Sequence, residues 1–527
     1  MLPLVISFIR IMKNIIVCIA LALSFSAVHA QMMIPRSAKQ DNEHIMSEAY
    51  WKLWNPKVQA RIDADIDRYR KADAVIALQD VADGTSVEVK QVSSDFFFGA
   101  NIFNFNQLGS KERNDRYKAL FGSLFNSATV SFYWRAFEPV PDDLRFREAY
   151  WDTEEFWNGK SNPKRLLNWR RPATDPVIQF LHSKGLRIQG HPLIWGNRKW
   201  QHPEWIIDNM MTPEEHKQMG RLLTGRGNVM NYRNDESYTD EYKSMSVPQL
   251  EALLPNYTKT LQQQFEKRIV DIAKYYGDRV NSWDVCNESA VDYSKGLMVQ
   301  GSGLCKSTYG LMPGDYTYHA FKTAEQAFPK SVVLNINDYL NNQAYVDQVK
   351  ELKSRGCKID LMGSQMHLFN PQQCADVAAG KEIETPNFVW DLMKTLSAAD
   401  VPLHLSEITI TAPNDTHEGR MIQAIIAQNL YRIWFSTEKM AGITWWNVVD
   451  NCGAPGEPTT SGLVTRDVEM KPAFYALDNL INHEWRTNLN VKTGKNGTVR
   501  FRGFRGKYLI SWIDKSGNRQ ELTYLLK

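Results

Sequence analysis

Two glutamates stand where an acid can do chemistry. Trp283-Asp284-Val285-Cys286-Asn287-Glu288 closes one strand-length apolar segment, and Leu403-His404-Leu405-Ser406-Glu407-Ile408-Thr409 crosses the end of another. If both segments end at one mouth, their carboxyl groups face each other. Splitting a glycosidic bond needs such a pair. One acid protonates the leaving oxygen while the other attacks or activates water. The plainer alternative is an ordinary strand-end glutamate paired with Lys or Arg. It is the better account of one isolated Glu, and a poorer account of two in these settings.

Other segment ends add polar and aromatic groups. Gly190-His191-Pro192-Leu193-Ile194-Trp195, Asn337-Asp338-Tyr339, Gly363-Ser364-Gln365-Met366-His367 and Trp445-Trp446 with Asp450 are the richest. Alternation with period two puts Gln365 and His367 on one face of a strand. A lone His is more often a hydrogen-bonded structural residue, and a lone Trp is more often core. Together they line a rim with donors, acceptors and a flat platform, as a carbohydrate site requires.

The elements that must hold these residues follow from periodicity. Eight apolar segments, at 96–102, 127–134, 186–195, 280–285, 332–336, 359–366, 403–410 and 443–449, are strand-length and rich in Val, Ile and aromatics. Helical patterns at 113–125, 176–183, 258–276, 318–328, 344–355, 387–398, 421–435 and 473–482 alternate with them. Eight such alternations predict an α/β chain of the (β/α)8 TIM-barrel type. A doubly wound sheet is the alternative, but it would carry a glycine-rich first turn, which is missing. The expected organisation is a signal peptide at 1–30, a helical and β segment at 31–92, the barrel at 93–482 and a small antiparallel β module at 483–527. The two flanks can pair with each other. Long insertions, at 200–255 and 287–317, fall in loops on the face that carries chemistry.

Composition narrows the function class. Of 527 residues, 62 are basic and 59 acidic, so no nucleic acid or anionic membrane is expected as partner. Hydrophobic residues at 43% and charged residues at 23% exclude a largely disordered chain. Arg10 and Lys13 precede an apolar run at 15–25, and Val28-His29-Ala30 offers small residues to a signal peptidase. The reading is an export signal cleaved after Ala30, with an uncleaved anchor as the alternative. Export leads to the periplasm, the cell surface or the medium. No later run has 18 consecutive apolar residues, so no further membrane span is expected. Cys286, Cys305, Cys357, Cys374 and Cys452 remain after cleavage, without a Cys-x-x-Cys pair, so neither a zinc ribbon nor a redox motif is expected. Export permits disulfides, and the sequence assigns none. No cofactor and no metal are expected, and the chain is expected to be a monomer.

In their order along the chain, these motifs resemble glycoside hydrolase family 10, the retaining β-1,4-xylanases. The resemblance covers roughly residues 95–480. Trp-Asp-Val-x-Asn-Glu at 283–288 and Ser-Glu-Ile-Thr-Ile at 406–410 carry most of it, and Lys471-Pro472-Ala473 with Tyr475 also fits. The resemblance implies that Glu288 is the acid/base and Glu407 the nucleophile. It implies that Asn287 bonds the sugar 2-hydroxyl and that His367 holds the nucleophile ionised. His191, Trp195, Gln365, Trp446, Arg135 and Tyr339 would bind the glycan, with Trp446 stacked on the sugar. A retaining pair of carboxyls should lie roughly 5–5.5 Å apart.

The departures cluster on one side. The family's Glu-Asn-x-x-Lys is replaced by Ser131-Phe132-Tyr133-Trp134-Arg135, which keeps only the basic residue. Gly196 stands where a His usually closes the third-strand motif. Glu407-Ile408-Thr409 replaces Glu-Leu-Asp, and Cys452-Gly453 stands near an expected Trp. These changes leave three expectations open. The first is an exported retaining xylanase. The second is the same chemistry on another β-linked plant glycan or a decorated xylan. The third is a non-catalytic carbohydrate-binding barrel, which the presence of both glutamates disfavours.

Overall fold

The computed structural model describes residues 33–147, 153–155, 159, 171–197, 201–203, 205–224 and 238–527. The expected signal segment at 1–30 lies outside them, as do parts of the 200–255 insertion. β1 (Lys71–Ala77) and β2 (Ser86–Ser94) precede β3 (Phe97–Asn101), β4 (Ser127–Ser131), β5 (Arg187–His191) and its short continuation β6 (Ile194–Trp195). Then come β7 (Ser282–Asn287), a hairpin of β8 (Leu304–Ser307) and β9 (Gly310–Pro313), β10 (Val333–Asp338), β11 (Leu361–Leu368), β12 (Leu403–Ile410) and β13 (Met440–Trp445). β14 (Asn488–Lys492), β15 (Thr498–Phe504), β16 (Gly506–Ile513) and β17 (Arg519–Leu526) close the chain.

Pairing of β3-β4-β5-β7-β10-β11-β12-β13 returns to β3, and every pair in that ring is parallel. This is the closed (β/α)8 barrel that the alternating pattern predicts. Its strands are buried on both faces, so they read as continuous apolar runs. The helices match the predicted amphipathic stretches. Side-chain caps start several of them, with Ser110 accepting from Arg113 N, Thr385 from Phe388 N and Thr416 from Gly419 N.

The strands β7, β10 and β11 run two residues past their expected ends, and three other segments depart further, each for a local reason. The 127–134 segment leaves the sheet after Ser131 and turns into a short helix, Trp134–Phe137. There Trp134 N donates to Gln201 Oε1 (3.1 Å) and its indole to Glu138 Oε2 (2.6 Å), so side chains replace a ladder partner. The 186–195 segment is interrupted at Pro192, which has no N–H to give to a neighbouring strand. The eighth strand starts earlier than expected and stops at Trp445, because Asn447 takes a left-handed backbone (φ 67°).

The flanks form one unit. β2 lies between β14 and β16, β17 extends the sheet, and β1 pairs with β15. The helix Pro56–Arg70 joins this unit to the barrel, and Arg70 donates to the carbonyls of Phe435 (2.5 Å) and Met440 (2.8 Å).

A buried cation fixes the turns under the mouth. Arg268, on the helix Pro255–Tyr276, donates to the carbonyls of Leu193 (2.7 Å), Pro192 (3.1 Å) and Phe132. Those residues carry the chain from β4 into the mouth and from β5 to Trp195. Replacing Arg268 by Met would take the side-chain donor from the buried carbonyls of Phe132 and Pro192 and leave Leu193 with Gln201 Nε2 (2.9 Å). It should destabilise the protein by about 3 kcal/mol. An unchanged chemical-denaturation midpoint would show that Arg268 does not hold these turns.

Candidate active site

Both glutamates sit where a bulge re-aims their strand. The β11–β12 register shifts between Ser364 and Gln365, so Ser406 is the extra residue before Glu407. The β7–β10 register shifts at Asn335–Ile336, so Val285 is the extra residue three positions before Glu288. Bulges of this kind redirect side chains at barrel rims. Glu288 follows the last residue of β7 in a left-handed conformation (φ 54°), and its N–H is held by the Asn337 carbonyl at 2.8 Å. A non-glycine residue pays for that backbone, and such strain collects at functional sites. Asp338 steadies the same turn by accepting from Ala290 N at 2.7 Å.

The carboxyl groups meet through Gln365. Its Nε2 lies 3.3 Å from Glu288 Oε1 and 3.2 Å from Glu407 Oε1. The two oxygens are therefore no more than about 6.5 Å apart. Asn337 Nδ2 donates to Glu407 Oε1 and to Asn287 Oδ1, both at 2.8 Å. With its oxygen engaged, Asn287 has its amide nitrogen left for a ligand. Trp195 Nε1 donates to Glu288 Oε2 at 2.9 Å, and the Tyr309 hydroxyl reaches the same oxygen at 3.2 Å.

Two imidazoles flank Glu407. His191 Nε2 lies 3.7 Å from Oε1, and His367 Nε2 lies 3.6 Å from Oε2. Behind His191, Nδ1 is 2.8 Å from Asp284 Oδ2, which also accepts from Gln189 Nε2 at 2.8 Å. Burial pulls the His191 pKa down, but the Asp284 hydrogen bond and the Glu407 charge outweigh it, and the net shift is upward. Behind His367, Nδ1 meets Thr409 Oγ1 at 2.9 Å, so a hydroxyl stands at the position of the family's acid. Burial first, then the charges of Glu407 and Asp338, push Glu288 up from 4.5 to about 7.

The residues expected from the sequence fall into two groups. Glu288, Glu407, Asn287, His191, Trp195, Gln365 and His367 form the connected cluster just described. Trp446 stands beside it, edge-on to Phe103 (5.1 Å) and His191 (5.6 Å), and is only 4% exposed. Tyr339 is 45% exposed at the end of β10 and bonds the Tyr309 hydroxyl. Phe369, stacked on His367 at 4.3 Å, offers a second open face on that side. Arg135 lies on the short helix Trp134–Phe137 that follows β4. The guanidinium over the Phe103 ring (4.3 Å) and the Tyr133 ring (5.8 Å) is that of Arg171. Tyr133 in turn packs against His191 (5.7 Å) and Trp195 (5.8 Å).

Sequence reasoning therefore missed Tyr309, Tyr133, Phe103 and Arg171. Arg171 and Tyr309 lie outside the strand ends that the barrel pattern singles out. Tyr133 was visible only as part of a departure from the family motif. Among the described residues no group of three or more His, Cys, Asp or Glu is placed to hold a metal ion. Among the described residues, Cys286, Cys305, Cys357, Cys374 and Cys452 are buried and form no disulfide with one another.

Comparison with known proteins adds the following. Residues 242–480 match the sequence profile of glycosyl hydrolase family 10. Endo-1,4-beta-xylanase A of Thermoanaerobacterium saccharolyticum is 25% identical over 326 residues, 59% of this chain and 23% of that protein. Exoglucanase XynX of Acetivibrio thermocellus is 24% identical over 321 residues, 59% of this chain and 24% of that protein. The chain thus spans about a quarter of the length of these relatives. The crystal structure of native xylanase 10B from Thermotoga maritima superposes with a TM-score of 0.48 at 17% identity, covering 74% of this chain and 96% of that one.

The raised pKa of Glu288 links its ionisation to folding. A carboxyl whose folded pKa lies above its unfolded one adds stability that is fully present below the unfolded value. That stability is lost as pH rises through the folded value. Glu288→Gln removes the titration. Relative to this variant, wild type should lose about 2–3 kcal/mol between pH 4.5 and pH 7, as the shift to about 7 implies. Melting curves of both proteins across that range should diverge, and parallel curves would refute the assignment.

Proposed function

We propose that the chain, whose residues 242–480 match the glycosyl hydrolase family 10 profile, cleaves β-1,4-xylosidic bonds of xylan or xylo-oligosaccharides with retention of configuration. The observation that carries this reading is the pair Glu288 and Glu407 on a shared Gln365 nitrogen, one with a pKa near 7 and the other ringed by donors. Their oxygens, at most about 6.5 Å apart, fall short of most of the span that inverting enzymes need for a water.

The chemistry runs in two displacements. Glu407 attacks the anomeric carbon as the glycosidic bond breaks, and the Glu288 proton passes to the leaving oxygen. The sugar is then esterified to Glu407, and Glu288 is a carboxylate. Glu288 next takes a proton from water, the water oxygen bonds to the anomeric carbon, and Glu407 leaves. Asn287, fixed through its oxygen by Asn337, is set to donate to the sugar 2-hydroxyl. His191 and His367 flank Glu407 with ring nitrogens at 3.7 and 3.6 Å, which orients it toward the sugar.

A second reading keeps this mechanism and changes the glycan. The wall of Phe103, Tyr133 and Arg171 beside Trp446 favours it, because it replaces the polar Glu-Asn pair with aromatic faces and a buried cation. Export also belongs to this proposal. Its support is the basic and apolar N-terminal sequence.

Product analysis on xylan, β-glucans and mannans tests the reading. Glu407→Ala should lower kcat by about 10⁴-fold or more on whichever glycan is cut. Glu288→Ala should do the same for natural linkages, yet spare aryl glycosides whose leaving group needs no proton. In wild type, kcat/KM should fall as pH rises past about 7, where Glu288 loses its proton. A first-formed α-anomer would rule out retention, and equal activity of Glu407→Ala would rule out the nucleophile.

A further inference from the structure

The hairpin of β8 and β9 is not part of the barrel ring. It pairs Leu304 with Pro313 and Ser307 with Gly310, and its tip is Thr308-Tyr309. The hairpin is firmly seated. Glu251 Oε1 accepts from Gly303 N (2.7 Å) and Leu304 N (3.1 Å), and Asp292 Oδ1 accepts from Thr308 N (2.7 Å). Lys306 Nζ caps the carbonyls of Tyr242, Lys243 and Met245 at 2.9–3.0 Å. The hairpin's own Leu304, Cys305, Leu311 and Met312 are buried. Tyr309 is thus delivered by an anchored element.

Space for its ring comes from Gly196. A Cβ at that position would lie 3.1 Å from Tyr309 Cδ2 and 3.4 Å from Ser307 Oγ, tighter than ordinary contact. A larger residue after Trp195 would compete with Tyr309 for the same volume. The two features are therefore one arrangement, a vacated position on the third barrel strand and a ring from another loop that fills it. The hydroxyl of that ring lies 3.2 Å from Glu288 Oε2, which also receives Trp195 Nε1 at 2.9 Å.

We propose that Tyr309 is a positioning residue for the acid/base glutamate. Its hydroxyl and the Trp195 indole together fill Glu288 Oε2, which confines the transferable proton to Oε1, on the side of Gln365 and Glu407. The inference rests on the reading of Glu288 as acid/base. An ionised carboxylate oxygen that already accepts two hydrogen bonds is a poor place for a proton, whereas Oε1 has only the long contact from Gln365. Burial holds the Tyr309 phenol far above its usual pKa, so it remains a donor at any working pH.

The electrostatics around Glu288 give this donor a measurable role. Glu407 on β12 and Asp338 on β10 face Glu288 with negative charge and raise its pKa, as burial does. His191 from β5 senses the Glu288 charge, Tyr133 beyond β4 senses both glutamates, and Tyr339 bonds Tyr309. Hydrogen bonds from Gln365 and Trp195 act the other way and favour the carboxylate. A hydroxyl donated to Oε2 adds to that second group. It stabilises the carboxylate that appears when the leaving group takes the proton.

Tyr309→Phe keeps the ring and deletes the hydroxyl. Two measurements on wild type and variant read the effect. One is kcat/KM against pH on a xylo-oligosaccharide and on an activated aryl xyloside. The other is the Glu288 titration by carboxyl ¹³C NMR, assigned with Glu288→Gln. Without the donor, the alkaline limb and the titration midpoint should both move up by about half to one pH unit, a modest share of what a hydrogen bond to a charged group contributes. At pH 6, kcat/KM on the oligosaccharide should fall several-fold more than on the aryl xyloside. A variant with lower activity but an unmoved limb and midpoint would overturn the inference and leave Tyr309 as a space-filler. If wild type cuts no β-glycoside, the functional reading falls. The titration then decides the Tyr309 coupling by itself, and an unmoved midpoint overturns it.

Discussion

Two carboxyl groups close enough to share one amide nitrogen, in a mouth largely shut off from water, do not both ionise at neutral pH without a large cost. The rest of this architecture can be understood as the means of sustaining that asymmetry. Glu407 stands among Asn337, Gln365, His191 and His367, all of which can present hydrogen to it. Glu288 has fewer favourable partners, sits on a strained turn, and feels Glu407 and Asp338 as like charges. These supports come from β5, β10 and β11 around glutamates held at the ends of β7 and β12, so the asymmetry requires the closed barrel. An open sheet would not bring β5, β7, β10, β11 and β12 to one point.

Much of this was legible in the sequence, because the strands of a closed parallel barrel are buried on both faces. Such strands appear as apolar runs whose polar residues stand out at one end, and Glu288, Glu407, Gln365 and His367 were found that way. β12 was read to its exact ends for this reason. The errors came where aromatic residues mimic a strand. Phe132, Tyr133 and Trp134 carry high strand propensity, yet Gln201 and Glu138 draw Trp134 into a helical turn. Asn447 ended the eighth strand through a backbone angle that no hydropathy pattern records.

What the sequence concealed lies in loops that act at long range. Tyr309 reaches Glu288 from a hairpin, and Arg171 reaches Phe103 from just before the helix Thr174–Ser183. Neither has a periodic signature, since its meaning depends on what another loop leaves open. Gly196 shows the point well. As a letter it was a missing histidine, and in space it is the volume that Tyr309 occupies. Departures from a family motif are best judged by what enters the vacated position.

The flanking sheet has a consequence for how the molecule is made. β2 is sandwiched between strands contributed by the far end of the chain, and Thr85 meets Thr493 across 408 residues of sequence. During synthesis from the N-terminus, β1 and β2 must therefore wait, with unpaired edges, until the whole barrel has emerged. Contacts of such high sequence separation form slowly. The strands after the barrel act as a clasp: they shield β1 and β2, which gain their sheet partners only after residues 488–513 have been made.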